Sequence, residues 1–82
     1  MDFHELHEKK VAEIKEKYAD IINDLSAKDN VDVGLAYNRL MAIARANLLN
    51  ETVLYSTDID FDLVELIRDY AELWYYSNKC TQ

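Results

Sequence analysis

Apolar residues recur along most of this chain at intervals of three and four positions, the spacing that places them on one side of an α-helix. In the N-terminal part they are Phe3, Leu6, Val11, Ile14, Tyr18, Ile21, Ile22 and Leu25. Charged residues fill the positions between them, so the pattern predicts an amphipathic helix over residues 3–25. The short polar stretch at residues 26–30 predicts that the next helix packs antiparallel to this one.

The middle of the chain is the only long segment with few charges. Between Val33 and Leu49 the polar side chains are those of Asn38, Arg39, Arg45 and Asn47. A helix that is apolar on most sides needs neighbours on most sides, so we expect a helix over residues 31–55 between two others. Its end is the least defined boundary, because Asn50 has the character of a left-handed C-cap. Val53 and Leu54 stay in phase with the helix and favour continuation.

The C-terminal part carries a third amphipathic pattern, which predicts a helix over residues 59–78. Its expected buried face comprises Ile59, Leu63, Val64, Leu66, Ile67, Tyr70, Ala71, Leu73 and Trp74. Three helices with short connections predict an all-α fold, a small three-helix up-down-up bundle, in one domain over residues 1–82. The alternative is a helical hairpin that completes its core as a homodimer, because the aromatic residues exceed what a minimal bundle needs.

Composition supports the helical class and limits the range of partners. The chain has one glycine and no proline, so the usual residues of tight turns are scarce. Sixteen acidic and nine basic residues give a net charge of −7. Phosphate backbones and anionic membranes repel such a chain, so we expect neither direct nucleic-acid binding nor membrane binding. A single cysteine, Cys80, and an N-terminus without an apolar run favour a cytoplasmic location.

The sequence contains no recognisable catalytic, cofactor-binding or metal-binding motif. His4 and His7 are one helical turn apart, but in the order His-Glu-Leu-His-Glu the second histidine comes one position too early for the metalloprotease motif. Cys80 is close to the C-terminal end, and no glycine-rich phosphate loop or nucleophile elbow is present. We therefore expect a non-enzyme with no metal site and no cofactor.

Three polar residues, His7, Asn47 and Glu51, have the helical phase of buried positions. Antiparallel pairing of the first two helices would bring His7 level with Asn47. Buried polar groups need partners, so we predict a small buried polar cluster of these three side chains. The alternative is that the second helix ends near Asn50 and leaves all three in solvent.

The outer side of the last helix is the predicted docking surface. Its residues are Glu65, Asp69 and Glu72 in a row, Arg68 beside them, and Tyr75 and Tyr76 at the end. Tyrosine, tryptophan and arginine are enriched at binding hot spots. We expect a small non-enzymatic regulator, inhibitor or adaptor that docks through this surface on a larger, basic protein partner. By analogy of class, such proteins are often encoded by phages and other mobile elements.

Two other functions are consistent with the same residues. A DNA mimic would use helical carboxylates at phosphate-like spacing to occupy a nucleic-acid-binding surface. Residues 56–82 hold six acidic and two basic side chains, an excess that is modest for such a mimic. A structural homo-oligomer would use the aromatic surface for self-association. Sensitivity of binding to salt separates charge mimicry from aromatic contact.

Overall fold

The computed structural model of the chain describes residues 2–50 and 62–80. These residues form four helices and no strand: α1 (Phe3–Lys17), α2 (Ala19–Asp29), α3 (Val33–Leu48) and α4 (Leu63–Cys80). The all-α prediction is confirmed, and the packing of the helices is compatible with a helical bundle. The expected count of three helices is not confirmed, because the N-terminal helix is divided in two.

The predicted N-terminal helix begins at the expected residue. The helical segment is divided at Tyr18 and extends beyond the predicted end at residue 25. The Asp2 carboxylate accepts a hydrogen bond from the backbone N–H of Glu5 at 2.8 Å, which caps the first turn of α1. At Tyr18 the backbone leaves the helical region, with φ −107° and ψ 22°, and this residue separates α1 from α2. α2 then continues past residue 25 to Asp29, and Asn30 closes it in a left-handed conformation with φ 53°.

The middle helix is shorter than predicted. Asp32 caps its start by accepting the N–H of Leu35 at 2.7 Å. Its end is at Leu48, and Asn50 has a positive φ of 56°. A left-handed residue breaks the series of i to i−4 hydrogen bonds, and asparagine adopts this conformation more easily than most residues. The helix therefore ends near Asn50 and the preferred continuation to residue 55 was wrong, although residues 51–55 themselves lie outside the described ranges.

α3 packs against α2 on one side and α4 on another, as its scarcity of charge predicted. The core that these helices share with α1 consists of Ile14, Tyr18, Ile22, Leu25, Ala36, Leu40, Met41, Ala44, Leu66 and Leu73. The prediction of a central, weakly charged helix with neighbours on two sides is confirmed.

α1 and α4 pack against each other in opposite directions. Phe3, at the start of α1, contacts Tyr75 near the end of α4, whereas Lys17 at the end of α1 contacts Glu65 in the first turn of α4. An up-down-up bundle would place its first and last helices parallel, so this topology is not confirmed. Because α3 already ends at Leu48, the chain has more residues before α4 than the short turn on which that prediction relied.

Candidate functional site

The orientation of α4 about its own axis differs from the expected one. Leu66 and Leu73 are buried as predicted, but Val64 and Trp74, assigned to the same buried face, are 65% and 45% exposed. Asp69, assigned to the solvent side, is only 8% exposed. The acidic row of α4 therefore faces α1, and apolar side chains face outward.

The buried carboxylate of Asp69 lies at the centre of a group that we call the charge cluster: Lys10, Lys17, Tyr18, Glu65, Asp69 and Glu72. Asp69 Oδ1 accepts a hydrogen bond from Lys10 Nζ at 3.1 Å. Asp69 Oδ2 accepts one from Lys17 Nζ at 3.0 Å and one from the Tyr18 hydroxyl at 2.6 Å. Both carboxylate oxygens are thus bonded to groups of the N-terminal helices.

The two lysines extend these contacts along α4. Lys17 Nζ lies 2.6 Å from Glu65 Oε1, and Lys10 Nζ lies 3.0 Å from Glu72 Oε2. Lys10 also contacts Glu13 on its own helix at 3.4 Å, so its three ammonium hydrogens face three carboxylates. The Lys10 side chain is only 7% exposed, a degree of burial that lysine reaches only when it is paired.

The same contacts shift the pKa values of these groups. Burial alone would raise the pKa of Asp69, but the hydrogen bonds from Tyr18, Lys17 and Lys10 outweigh it and hold that pKa below its usual value. Burial would lower the pKa of Lys10, and its contacts with Glu72 and Asp69 raise it instead. Burial and the bond to Asp69 both raise the pKa of the Tyr18 hydroxyl. Asp69 and Lys10 therefore stay ionised at neutral pH, and Tyr18 stays protonated.

We expect this cluster to make the fold sensitive to acid. The hydrogen bonds from Lys10 and Tyr76 also lower the pKa of Glu72, so the folded state binds protons at Asp69 and Glu72 more weakly than the unfolded chain does. Their contribution to stability is complete above the ordinary pKa values of 3.8 and 4.5 and is lost as pH falls through the lower folded-state values. Urea unfolding at a series of pH values measures this loss.

The contribution of Lys10 to stability has the opposite pH dependence and is lost at alkaline pH. The raised pKa of Lys10 gives a stabilisation that is present below its ordinary value of 10.5 and is lost as pH rises through the higher folded-state value.

As a matched comparison for the acid sensitivity, Glu72→Gln should make the loss of stability in acid shallower without changing the core. An unfolding free energy that stays constant from neutral pH down to about pH 3 would contradict the expected acid sensitivity.

The charge cluster corrects the predicted docking surface. Glu65, Asp69 and Glu72 form a row as expected, but all three are paired with lysines of α1, and Asp69 is only 8% exposed. Arg68 is exposed. The sequence carried a signal for this pairing, since Lys10 and Lys17 are seven residues apart and so are Glu65 and Glu72. A spacing of seven residues returns to the same helix face, so the two rows match when the helices are antiparallel.

Three aromatic rings meet where the start of α1 lies beside the end of α4. We call Phe3, Tyr75 and Tyr76 the aromatic cluster. The ring centroid of Phe3 lies 6.1 Å from that of Tyr75 and 6.4 Å from that of Tyr76, and the two tyrosine rings are 5.9 Å apart. Phe3 is 40% exposed and Tyr75 is 51% exposed. The Tyr76 hydroxyl donates to Glu72 at 2.8 Å, which ties this cluster to the charge cluster.

Sequence reasoning identified Tyr75 and Tyr76 but placed Phe3 in the buried stripe. Phe3 is the first residue of α1, and its ring packs on the tyrosines of α4. Only the antiparallel pairing of α1 with α4 brings these three rings together.

The side of α4 that faces away from the charge cluster forms a second exposed surface. We call it the outer face of α4, and its residues are Val64, Ile67, Arg68, Ala71, Trp74 and Tyr75. Val64, Trp74 and Tyr75 are exposed, and Ile67 and Ala71 are half-buried. Several of these residues had been assigned to the core.

The predicted polar cluster does not assemble between its two described members. The Asn47 amide donates to the backbone carbonyl of Ile43 at 2.8 Å, on its own helix, and Asn47 is exposed. No hydrogen bond joins His7 to Asn47 within the described part of the chain, because α1 packs mainly on α4. Glu51 lies outside the described residues.

The described residues form neither a metal-binding group nor a membrane-spanning helix. His4 lies 3.1 Å from Glu8, one turn along α1. Within residues 2–50 and 62–80, no three histidine, cysteine or acidic side chains are grouped so as to hold a metal ion. None of the described helices combines the length and the apolar character needed to cross a bilayer.

Comparison with known proteins gives this chain no relative: no family model matches it, and neither a curated protein nor a solved structure is detectably similar to it.

Proposed function

We propose that this chain is a small non-enzymatic regulator, an inhibitor or an adaptor, that binds a larger protein through its aromatic cluster. The observation that carries the proposal is the set of three rings in mutual contact, two of them at least 40% exposed, where α1 and α4 meet. Tyrosine is enriched among the few residues that supply most of the binding energy of an interface.

The rings are held in place before any partner arrives. Phe3 and Tyr75 lie on two helices that the charge cluster locks together, and the Tyr76 hydroxyl is held by Glu72. Side chains that are already ordered lose less conformational entropy on binding, so more of the contact energy remains as affinity. An exposed aromatic cluster of this kind is suited to a protein surface.

Charge supports a basic partner. The acids of the charge cluster are largely neutralised by lysines, but Asp2 and Glu5 are exposed at the start of α1, beside Phe3 in sequence. The whole chain carries a net charge of −7. Complementary charge speeds the encounter of two proteins and orients them, while aromatic contacts supply most of the affinity. We place the protein in the cytoplasm, where a single exposed thiol such as Cys80 stays reduced.

The charge cluster weakens the case for a DNA mimic. Such a protein needs carboxylates that are free to replace phosphates on a basic surface. On α4 the row of Glu65, Asp69 and Glu72 is engaged by Lys10 and Lys17. The aromatic cluster therefore takes precedence over the acidic row as the binding surface.

Replacing Tyr75 with alanine tests the proposal. The wild-type chain, immobilised and exposed to a lysate of its native host, should retain a specific partner, and the Tyr75→Ala variant should lose it. A hot-spot residue is worth about 2 kcal/mol or more, which corresponds to roughly thirtyfold weaker binding. Titration calorimetry with the purified partner measures this change.

Leu35→Ala is the matched control, because Leu35 is also an exposed apolar side chain, at 42%, but lies on α3. Its capture of the partner should equal that of wild type, and at high salt capture should weaken without disappearing. Capture that disappears with salt but survives Tyr75→Ala would overturn the proposal and favour charge mimicry.

A further inference from the structure

A cavity of about 210 Å³ lies between the junction of α1 with α2 and the start of α3. Its apolar walls are formed by Ala19, Ile22, Val33 and Tyr37. Gly34, the one glycine of the chain, also lines the cavity and adds no side chain to it. A buried apolar cavity of about 150 Å³ is large enough to hold one benzene ring. The cavity therefore has room for a ligand with a single ring.

The charge at this cavity is opposite to that of the whole chain. Of the described residues that line it, Lys15 is the one that carries a charge, in a chain whose net charge is −7. Lys15 Nζ lies 5.0 Å from the centre of the Tyr37 ring, so the ammonium group is held against the cavity wall. Apolar walls with one well-placed charged group are typical of small-molecule sites. Their complement is a ligand with an apolar body and one negative charge.

Lys15 differs from two other lysines of α1 in what it contacts. Lys10 and Lys17 contact carboxylates of α4, whereas Lys15 contacts an aromatic ring. The positions three and four residues from Lys15 on its own helical segment, where an acid could pair with it, hold Val11, Ala12, Tyr18 and Ala19. A carboxylate can therefore bind Lys15 without replacing an ion pair between described residues.

We propose that this cavity binds a small aromatic monocarboxylate, with its ring between Ile22 and Tyr37 and its carboxylate on Lys15. Two aromatic rings in contact are stabilised beyond the apolar area that they bury, which favours an aromatic over an aliphatic body. A second negative charge on the ligand would face apolar walls and a chain of the same sign, which favours a single carboxylate.

The site is separate from the aromatic cluster. Phe3 begins α1 and Lys15 lies near its end, so the two residues are about 18 Å apart along the helix axis. The expected affinity is modest, because the cavity is partly open to solvent and Lys15 is exposed. For a ligand with one ring we expect a dissociation constant of about 1 mM.

Titration of the isotope-labelled chain with phenylacetate, followed by nuclear magnetic resonance, tests the site. The backbone amide resonances of Ala19, Ile22 and Gly34 should shift and saturate with a dissociation constant of about 1 mM. Phenylacetamide has nearly the same shape without the charge and should bind about fivefold more weakly. No saturable shift below about 20 mM phenylacetate, or equal affinity for the two ligands, would overturn the proposal.

Two variants separate the contribution of the charge from that of the space. Lys15→Met should weaken phenylacetate binding about fivefold without unfolding the chain, because Lys15 is exposed. Ala19→Leu places a larger apolar side chain in the cavity wall and should abolish the binding, with circular dichroism to confirm that this variant is folded.

Lys79→Met is the matched control for Lys15→Met. Lys79 Nζ also lies over a tyrosine ring, at 5.6 Å from the centre of Tyr75, but it does not line the cavity. Its replacement should leave phenylacetate binding unchanged. Unchanged affinity in Lys15→Met, or an equal loss in Lys79→Met, would overturn the assignment of the carboxylate to Lys15.

The ligand site and the proposed function fail separately. Lys15→Met leaves the aromatic cluster intact, so this variant should capture the larger partner as wild type does. A chain with Tyr75-dependent capture that does not bind phenylacetate would end only the ligand proposal. A chain that binds phenylacetate at this cavity but captures nothing in a Tyr75-dependent way would end only the proposed function.

Discussion

Replacing Asp69 with alanine is expected to lower the free energy of unfolding by about 3–5 kcal/mol, the usual loss when one partner of a buried ion pair is removed. Lys10 would keep its buried ammonium group without the carboxylate that faces it at 3.1 Å. The Tyr18 hydroxyl would lose its acceptor at 2.6 Å. Urea denaturation followed by circular dichroism measures the change.

Two comparisons show whether the loss comes from removing the carboxylate that Lys10, Lys17 and Tyr18 share. Glu65→Gln removes a carboxylate that is 46% exposed, so its effect should be far smaller. The double variant Lys10→Met with Asp69→Leu removes both charges and fills the space with apolar atoms, so it should recover the part of the lost stability that comes from Lys10. A loss of less than about 1 kcal/mol for Asp69→Ala would mean that water reaches the cluster and that it does not hold α1 to α4.

Replacing Leu66 with alanine is expected to cost about 3 kcal/mol, within the range found when a buried leucine is truncated and a cavity is left behind. The side chain is fully buried, with 0% exposed, and belongs to the core shared by α1, α2, α3 and α4. Small domains have a total stability of about 5–15 kcal/mol, so this single change removes a large part of it. Thermal and chemical unfolding of the purified variant measure the effect.

Val64→Ala is the matched control for Leu66→Ala. It removes apolar atoms two positions away on the same helix, from a side chain that is 65% exposed. Surface changes of this kind usually stay within about 0.5 kcal/mol. If the two variants lost the same free energy of unfolding, Val64 would have to lie in the core, as the sequence pattern predicted.

Much of the fold could be predicted because it depends on local pattern. The spacing of Ile14, Tyr18, Ile22 and Leu25 places them on one face, and all four are buried. The scarcity of charge between Val33 and Leu49 required a helix with neighbours on two sides, and α3 has them. Tyr75, predicted to lie on the outer side of the last helix, is 51% exposed.

The candidate site could be predicted only in part. α4 carries apolar residues around most of its circumference, so its own sequence is compatible with more than one rotation about the helix axis. A rotation of α4 that buries Val64 and Trp74 would add apolar contacts. The rotation in the structure buries Leu66 and Leu73 and places Asp69 beside α1. The lysines that satisfy Asp69 are more than fifty residues away in the chain. No pattern within α4 could show that its acids would face inward.

The sequence by itself determined the helical class, the central position of α3 and the core stripe of the N-terminal helices, since each depends on residues a few positions apart. Only the tertiary structure decided the antiparallel packing of α1 and α4, the burial of Asp69 and the meeting of Phe3 with Tyr75. These features depend on contacts between distant segments. The stable arrangement of these segments is the one that pairs every buried charge and also buries the apolar core.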